Sequence, residues 1–85
     1  MTAPRLRAAV VGVGYLGRFH AEKYAAHAAA ELVAVADVDG ARARAVAAAL
    51  GVEALTDHRA LVGRIDCASV AVPTPLHHAV ASDLL

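Results

Sequence analysis

The chain has 85 residues, of which 59% are hydrophobic, and its formal net charge is zero with the histidines neutral. This length suits one small domain, and the interspersed acids and bases give no electrostatic footprint for nucleic acid or for an anionic membrane. No apolar stretch is long enough to predict a membrane span, and the N-terminus lacks the apolar segment of a signal peptide. Because a single cysteine cannot form an internal disulfide, we expect a cytoplasmic protein.

Four apolar runs alternate with helical stretches along the chain. The apolar runs predict strands at 6–11, 31–36, 52–55 and 67–72. The stretches between and after them predict helices at 15–28, 41–50, 59–62 and 76–85. The short connections suit right-handed parallel crossovers, so the pattern predicts a doubly wound, Rossmann-like α/β sheet. Since no strand follows the last helix, we expect residues 1–85 to be part of a truncated domain.

Several residues carry local signals for the ends and faces of these helices. Asp39 is a candidate N-cap for the second helix, and Gly51 suits a left-handed C-cap after it. Thr56 or Asp57 is the candidate cap of the short third helix. On the first helix, an apolar stripe is predicted to face the sheet; it consists of Leu16, Ala21, Tyr24, Ala25 and Ala28.

The first strand leads into a turn with the pattern Gly-x-Gly-x-x-Gly. In such a turn Gly12 permits the sharp bend, Gly14 lets the backbone approach phosphates, and Gly17 lets the helix pack closely on the strand. The phosphates are expected at the N-terminus of the helix, where free N–H groups and the helix dipole favour negative charge. Tyr15 and Leu16 are expected to contribute backbone N–H groups and to wall the pyrophosphate.

Asp37 follows the second strand, and a carboxylate at this position can accept hydrogen bonds from both hydroxyls of an adenosine ribose. Strand, turn, helix and acid together predict a dinucleotide site. Two alternatives remain open. In the first, the turn only packs helix on strand and Asp37 is solvated; in the second, the loop and the acid bind S-adenosylmethionine. The glycine spacing favours the dinucleotide.

The charge of Asp37 also bears on the choice of dinucleotide. A carboxylate repels a 2′-phosphate, so NAD is favoured over NADP. Arg42 and Arg44 follow soon after and could in principle bind a phosphate. We interpret both instead as parts of the exposed face of the second helix.

A second signal follows the fourth strand, where the sequence reads Pro73-Thr74-Pro75-Leu76-His77. Ligands of doubly wound sheets bind beyond the carboxyl ends of the strands, so this turn is expected to face the same crevice as the glycine turn. Thr74 is a candidate contact for the nicotinamide ribose. His77, in the first turn of the last helix, is a candidate support for the nicotinamide pocket.

Four stretches of the sequence resemble the Gfo/Idh/MocA oxidoreductases: GVGYLGRFHA at 12–21, ELVAVAD at 31–37, DCASVAV at 66–72, and Pro-Thr-x-x-His at 73–77. The resemblance implies an NAD(P)-dependent enzyme that oxidises or reduces a sugar, polyol or nucleotide sugar. It also implies a C-terminal substrate domain and a homo-oligomer for the full-length protein. The family's catalytic lysine, in a Glu-Lys-Pro motif, would then lie beyond Leu85, so no residue of this chain is assigned as catalytic and the chain alone is expected to be inactive.

A non-catalytic module that binds or senses a dinucleotide is the alternative function. The five histidines and the single cysteine show no spacing typical of a zinc site. His27, His58 and His78 are expected at the surface, and Cys67 is expected to be a small buried residue at the start of its strand.

Overall fold

A parallel sheet forms the centre of the structure, a computed structural model that describes residues 5–72 and 80–84. Its strands are β1 (Leu6–Val11), β2 (Ala30–Ala36), β3 (Glu53–Leu55) and β4 (Cys67–Val70). They lie in the order β3-β2-β1-β4, and every neighbouring pair is parallel. From β1 the chain adds β2 and then β3 on one side, and it then crosses over to add β4 on the other side of β1. This confirms the predicted doubly wound, Rossmann-like sheet.

Helices connect the strands. Helix α1 (Tyr15–Ala26) joins β1 to β2, and α2 (Gly40–Leu50) joins β2 to β3. A 3₁₀ helix (His58–Leu61) lies between β3 and β4, and residues 80–84 form a further helical segment, α3. None of the helices in the described part of the chain is long and apolar enough to cross a membrane.

Apolar side chains cover both faces of the sheet. The core on one face joins β1 and β2 to α1 and α2, and its buried members are Val10, Val13, Ala21, Leu32, Val35, Val46 and Ala47. The core on the other face joins the same strands to the 3₁₀ helix and α3, and its buried members are Ala9, Val11, Ala34, Ala36, Leu61 and Val80. Successive strand residues thus enter opposite cores, which fixes the register and sets the carboxyl ends of the strands along one edge.

The first helix is shorter than predicted. It ends at Ala26, whereas the sequence pattern extended it to residue 28. His27 has left the helical conformation, with φ −87° and ψ 125°, and its Nδ1 accepts the N–H of Ala29 at 3.1 Å. This local hydrogen bond offers the backbone an alternative to another helical turn, and it directs the chain into β2.

The predicted apolar stripe on α1 is correct only in part. Ala21 is fully buried, and the partly buried Tyr24 is hydrogen-bonded through its hydroxyl to Ser69 Oγ of β4 at 3.0 Å. Ala25 and Ala28 are exposed, so their assignment to the stripe was wrong. Alanine is a strong helix former on any face, and its apolar character alone does not mark the buried one.

The predicted caps of the later helices are confirmed. Asp39 accepts the N–H of Arg42 at 3.1 Å, and Gly51 has a left-handed φ of 70° after α2. Of the two candidate caps for the 3₁₀ helix, Asp57 takes the position and accepts the N–H of Arg59 at 2.9 Å. Each cap satisfies a backbone group that the helix itself leaves without a partner.

Strand β4 is also shorter than predicted, because it ends at Val70 and not at residue 72. Cys67 does begin the strand, but it is half-buried and not enclosed by the core. At this amino end of the sheet, Asp66 accepts the backbone N–H of Arg7 at 2.8 Å and donates its own N–H to the Arg7 carbonyl at 2.7 Å. The two residues therefore fasten the start of β4 to β1.

Candidate functional site

The glycine turn begins with a residue that no L-amino acid with a side chain can replace without strain. Gly12 has φ +88°, and a Cβ built there would lie 2.5 Å from the carbonyl oxygen of Ala71. Its N–H donates to the carbonyl of Ala36 at 2.7 Å. The turn is therefore pressed between the ends of β2 and β4, and only glycine fits both the conformation and the space.

The other two glycines differ in what they face. A Cβ on Gly17 would lie 1.6 Å from the Gly12 carbonyl oxygen, so α1 packs directly against the turn. Gly14, the N-cap of α1, has an ordinary φ of −66°, and the nearest atom to a Cβ there would be Arg42 Nη1 at 3.7 Å. The packing of the chain explains Gly12 and Gly17, whereas Gly14 borders open space among the residues that the structure describes.

The N-terminus of α1 meets this open space. Tyr15 and Leu16 are the first two residues of the helix, and Arg18 makes an early helical hydrogen bond, to the Gly14 carbonyl at 2.8 Å. The first N–H groups of an α-helix have no partner within the helix and carry its positive dipole end. Tyr15 and Leu16 thus begin α1 beside Gly14, and their contact with a pyrophosphate stays a prediction.

Asp37 is buried, with 7% of its side chain exposed. Its Oδ2 accepts the N–H of Val13, inside the glycine turn, at 2.9 Å, and its Oδ1 accepts the N–H of Asp39 at the same distance. One carboxylate therefore holds the glycine turn to the loop after β2. The alternative in which Asp37 is a solvated turn residue is wrong.

The sequence analysis missed the contact between Asp37 and Val13. The sequence did carry a signal for it. When two neighbouring parallel strands end at the same level, the residues that follow them lie side by side at that edge of the sheet. Val11 pairs with Ala36 in the structure, and this places the residue after β2 beside the turn after β1.

Arg42 belongs to the same edge of the sheet. Its Nη1 lies 3.7 Å from Asp37 Oδ2, and about half of the side chain, 52%, is exposed. Arg42 and Arg44 are both exposed, as expected, but Arg42 also lies beside the Asp37 carboxylate. The periodicity of α2 alone could not distinguish the two arginines, since both lie outside its buried stripe.

These groups surround a crevice of about 450 Å³ beyond the carboxyl ends of β1, β2 and β4. Its described lining includes Gly12, Gly14, Asp37, Val38, Arg42 and His58. The crevice lies between strands that lead away from β1 in opposite directions, which is where ligands bind in open α/β sheets. The residues predicted for its other end, Thr74 and His77, fall outside the described residues.

His58 occupies a position that the sequence did not predict. It lines the crevice from the 3₁₀ helix, and its Nε2 lies 2.8 Å from Asp83 Oδ2 of α3. Its side chain is 21% exposed, so it lies at the surface as expected but is half-buried there. The exposed His27 is as expected, and His78 lies outside the described residues. Within residues 5–72 and 80–84, no cluster of three or more His, Cys, Asp or Glu side chains could hold a metal ion.

Comparison with known proteins shows which family has this architecture. A family model described as an oxidoreductase family with an NAD-binding Rossmann fold matches residues 6–85. The chain belongs to the Gfo/Idh/MocA oxidoreductase family. This confirms the resemblance drawn from the sequence, and it supports the dinucleotide over the S-adenosylmethionine alternative.

Relatives within the Gfo/Idh/MocA family act on several kinds of hydroxyl compound. A UDP-N-acetylglucosamine 3-dehydrogenase of Acidithiobacillus ferrooxidans is 46% identical over 76 residues, covering 89% of this chain and 24% of the relative. An inositol 2-dehydrogenase of Rhizobium meliloti is 38% identical over 73 residues, covering 85% and 22%. The chain thus spans about a quarter of the length of these relatives.

Solved structures agree with the fold. The UDP-N-acetylglucosamine 3-dehydrogenase of A. ferrooxidans superposes with a TM-score of 0.89 at 43% identity, covering 96% of this chain and 27% of the solved one. A myo-inositol dehydrogenase of Lactobacillus casei, solved in complex with NAD(H) and myo-inositol, gives a TM-score of 0.84 at 27% identity, covering 94% and 25%. The NAD-binding Rossmann architecture is therefore shared with dehydrogenases of different substrates.

Proposed function

We propose that this chain is the cofactor-binding portion of an NAD-dependent oxidoreductase that acts on a sugar, polyol or nucleotide sugar. NAD, when bound, would supply the hydride acceptor at its nicotinamide ring. The chain itself would bind and orient the cofactor in the crevice beyond β1, β2 and β4. The substrate class rests on the relatives, which include nucleotide-sugar and inositol dehydrogenases.

The observation that carries this proposal is the state of the Asp37 carboxylate. Each of its oxygens accepts one backbone N–H, from Val13 or from Asp39. A carboxylate offers about four acceptor positions in all, so about two remain. That number suits the two hydroxyls of an adenosine ribose. The contacts with the chain also hold the carboxylate in place before a ligand enters, which lowers the entropic cost of binding.

The pyrophosphate would lie at the N-terminus of α1. The open space over Gly14 allows a phosphate to approach the backbone, and the free N–H groups of the first helical turn would donate to its oxygens. The shape of the turn is fixed by Gly12 and Gly17, whose close contacts leave the backbone little room to move. We also propose Thr74 and His77 for the nicotinamide end of the same crevice.

The fixed carboxylate supports NAD over NADP as the preferred cofactor. A 2′-phosphate would replace a hydroxyl donor of the ribose with a group that carries close to two negative charges at neutral pH. It would then face an anionic acceptor that is held in place by Val13 and Asp39. We expect NADPH to bind more weakly than NADH for this reason.

Titration calorimetry with NADH and NADPH tests the proposal. Asp37→Asn keeps an acceptor oxygen for the glycine turn but loses the charge and one acceptor, so NADH binding should weaken about tenfold, the size of one hydrogen bond to a charged group. Asp66→Asn makes the same change at the other end of the sheet and should leave binding unchanged. A correctly folded protein that binds neither dinucleotide would contradict the proposed function. If Asp37→Asn binds NADH as the unchanged protein does, the role of Asp37 is wrong.

A further inference from the structure

The side chains of His58 and Asp83 join two elements that border the crevice. His58 is the first residue of the 3₁₀ helix and lines the crevice, and Asp83 belongs to α3. The distance from His58 Nε2 to Asp83 Oδ2 is 2.8 Å. A carboxylate can only accept, so the imidazole donates. Among the residues that the structure describes, this is the one side-chain hydrogen bond that joins α3 to another element.

The 3₁₀ helix is a fixed support for this hydrogen bond. Asp57 caps the helix by accepting the N–H of Arg59 at 2.9 Å, and its carboxylate also binds the Arg59 guanidinium at 2.8 Å. Leu61, at the other end of the helix, is fully buried in the core. The backbone of His58 is therefore held between a cap and a core residue. Because Arg59 is already paired with Asp57, the imidazole is the partner that remains for Asp83.

Helix α3 carries part of the crevice wall. Val80 lines the crevice and is buried in the same core as Leu61, whereas Leu84 is only partly buried there. Asp83 is three residues after Val80, and side chains at this spacing are neighbours on a helix surface. The hydrogen bond to His58 therefore reinforces the side of α3 that holds Val80 at the crevice.

We propose that His58 is a positioning residue, which acts through Asp83 to hold α3 where the crevice can bind the cofactor. The inference rests on the proposed function, since it concerns the shape of the same crevice. The affinity of a site falls in proportion to the fraction of molecules in the binding-competent arrangement. Loss of the hydrogen bond lowers that fraction, because α3, and Val80 with it, is then held on the sheet by apolar contacts alone.

Four variants test this role. His58→Leu removes the donor, Asp83→Ala removes the acceptor, and His58→Gln keeps an N–H donor at about the reach of Nε2. Glu53→Ala is the matched control, because it breaks another exposed ion pair, with Arg64, that lies outside the described crevice lining. The dissociation constant for NADH is measured for each by titration calorimetry, and circular dichroism checks that each is folded.

We expect His58→Leu and Asp83→Ala each to weaken NADH binding about fivefold, the size of one hydrogen bond. Because both changes remove the same hydrogen bond, the double variant should bind NADH within about twofold of either single variant. His58→Gln should restore binding to within about twofold of the unchanged protein. Glu53→Ala should also stay within about twofold, since an exposed ion pair contributes little.

The unchanged protein provides a test that needs no variant. If the position of α3 raises the affinity for NADH, then NADH must stabilise that position in return. Amide hydrogen exchange at residues 80–84, followed by nuclear magnetic resonance, should therefore slow when NADH is added. Exchange that slows at the glycine turn but stays the same in α3 would overturn the positioning role.

Two results with the variants would also overturn that role while leaving the proposed function intact. One is an unchanged affinity for NADH in folded His58→Leu and Asp83→Ala, which would limit the hydrogen bond to the stability of the fold. The other is a loss in His58→Leu alone, which would mean that the imidazole contacts the ligand directly and not through Asp83. A folded, unchanged protein that binds neither NADH nor NADPH would instead contradict the proposed function itself.

Discussion

Two aspartates at opposite ends of the sheet make the same kind of bond in different surroundings. At the carboxyl end, Asp37 accepts the N–H of Val13 at 2.9 Å; at the amino end, Asp66 accepts the N–H of Arg7 at 2.8 Å. The side chain of Asp37 is 7% exposed and that of Asp66 is 41% exposed. Each ties β1 or its turn to the segment beside it, but water competes only for the second.

The same interaction is exposed to solvent at one end of the sheet, and at the other end it lies where we propose that the cofactor binds. The N–H of Arg7, and then its guanidinium, lower the pKa of Asp66, and both partners stay in contact with solvent. Asp37 is instead enclosed by the turn and the loop that it joins, and it borders the crevice. Two backbone contacts, one of them buried, hold the Asp37 carboxylate in place at the proposed ribose site. The exposed Asp66 carboxylate fastens the start of β4 to β1.

Substitutions in the glycine turn should have the largest effects of those considered. They should also distinguish a glycine that the fold needs from one that the proposed cofactor site needs. Gly17→Ala would place a carbon 1.6 Å from the Gly12 carbonyl oxygen, which the turn cannot accommodate without moving α1. We expect a loss of about 3 kcal/mol or more in the free energy of unfolding, at the upper end of overpacking costs. Urea unfolding followed by circular dichroism measures it.

Gly14→Ala is the matched control for this change. Its Cβ would meet no described atom closer than 3.7 Å, and its φ of −66° suits alanine. Stability should stay within about 1 kcal/mol of the unchanged protein, as for a substitution without a clash. Affinity for NADH should fall, because the methyl group would occupy the approach of the phosphate. Equal destabilisation by the two substitutions would contradict the distinction between a packed and an open glycine.

Removal of each aspartate tests the comparison directly. Asp37→Ala leaves the buried N–H of Val13 without an acceptor, which should cost about 1 to 3 kcal/mol in the free energy of unfolding. Asp66→Ala should cost less, because water can replace the lost carboxylate at an exposed site. Urea unfolding of both variants at pH 7 provides the measurement. A larger loss of unfolding free energy in Asp66→Ala than in Asp37→Ala would contradict this distinction between the two aspartates.

The smallest expected effect is the change with pH in the stability that the exposed aspartates contribute. The pKa of Asp66 is lower in the folded protein than its ordinary value of 3.8, so its charge stabilises the fold above that value. The contribution is lost as the pH falls through the lowered, folded pKa. The difference in urea midpoint between Asp66→Ala and the unchanged protein should therefore shrink below pH 3.8. A difference that grew on acidification would contradict the assignment.

Asp57 is a second aspartate whose lowered pKa should make the stability of the fold depend on pH. The hydrogen bond from the Arg59 side chain lowers the pKa of Asp57 from 3.8 to about 2. Its contribution should therefore persist at neutral pH and fade between those two values, on the same side of neutrality as that of Asp66.

Much of the fold could be predicted because its signals are local. The apolar run at 6–11 became β1 with the predicted bounds, and Asp39 and Gly51 cap α2 as expected. The end of α1 could not be predicted from hydrophobicity, because the side chain of His27 competes with the helix for a backbone N–H. Alanine-rich stretches gave the apolar pattern too little contrast to exclude Ala25.

The sequence indicated which residues form the candidate site, but it did not indicate the contacts between them. The three glycines and Asp37 followed from their spacing, whereas the bond from Val13 to Asp37 joins residues 24 apart and depends on the pairing of β1 with β2. The place of Arg42 depends further on which side of α2 faces the crevice. Such contacts come from tertiary packing, which a single sequence encodes only through the register of its strands.

The most direct test of the central claim maps dinucleotide binding onto the two ends of the sheet. NADH is titrated into isotopically labelled protein, and the backbone amide shifts are followed residue by residue by nuclear magnetic resonance. The account predicts saturable shifts at Gly14, Val13 and Asp37, with Arg7 and Asp66 unmoved. Shifts confined to the Arg7 and Asp66 end, or no shifts in a folded protein, would contradict it.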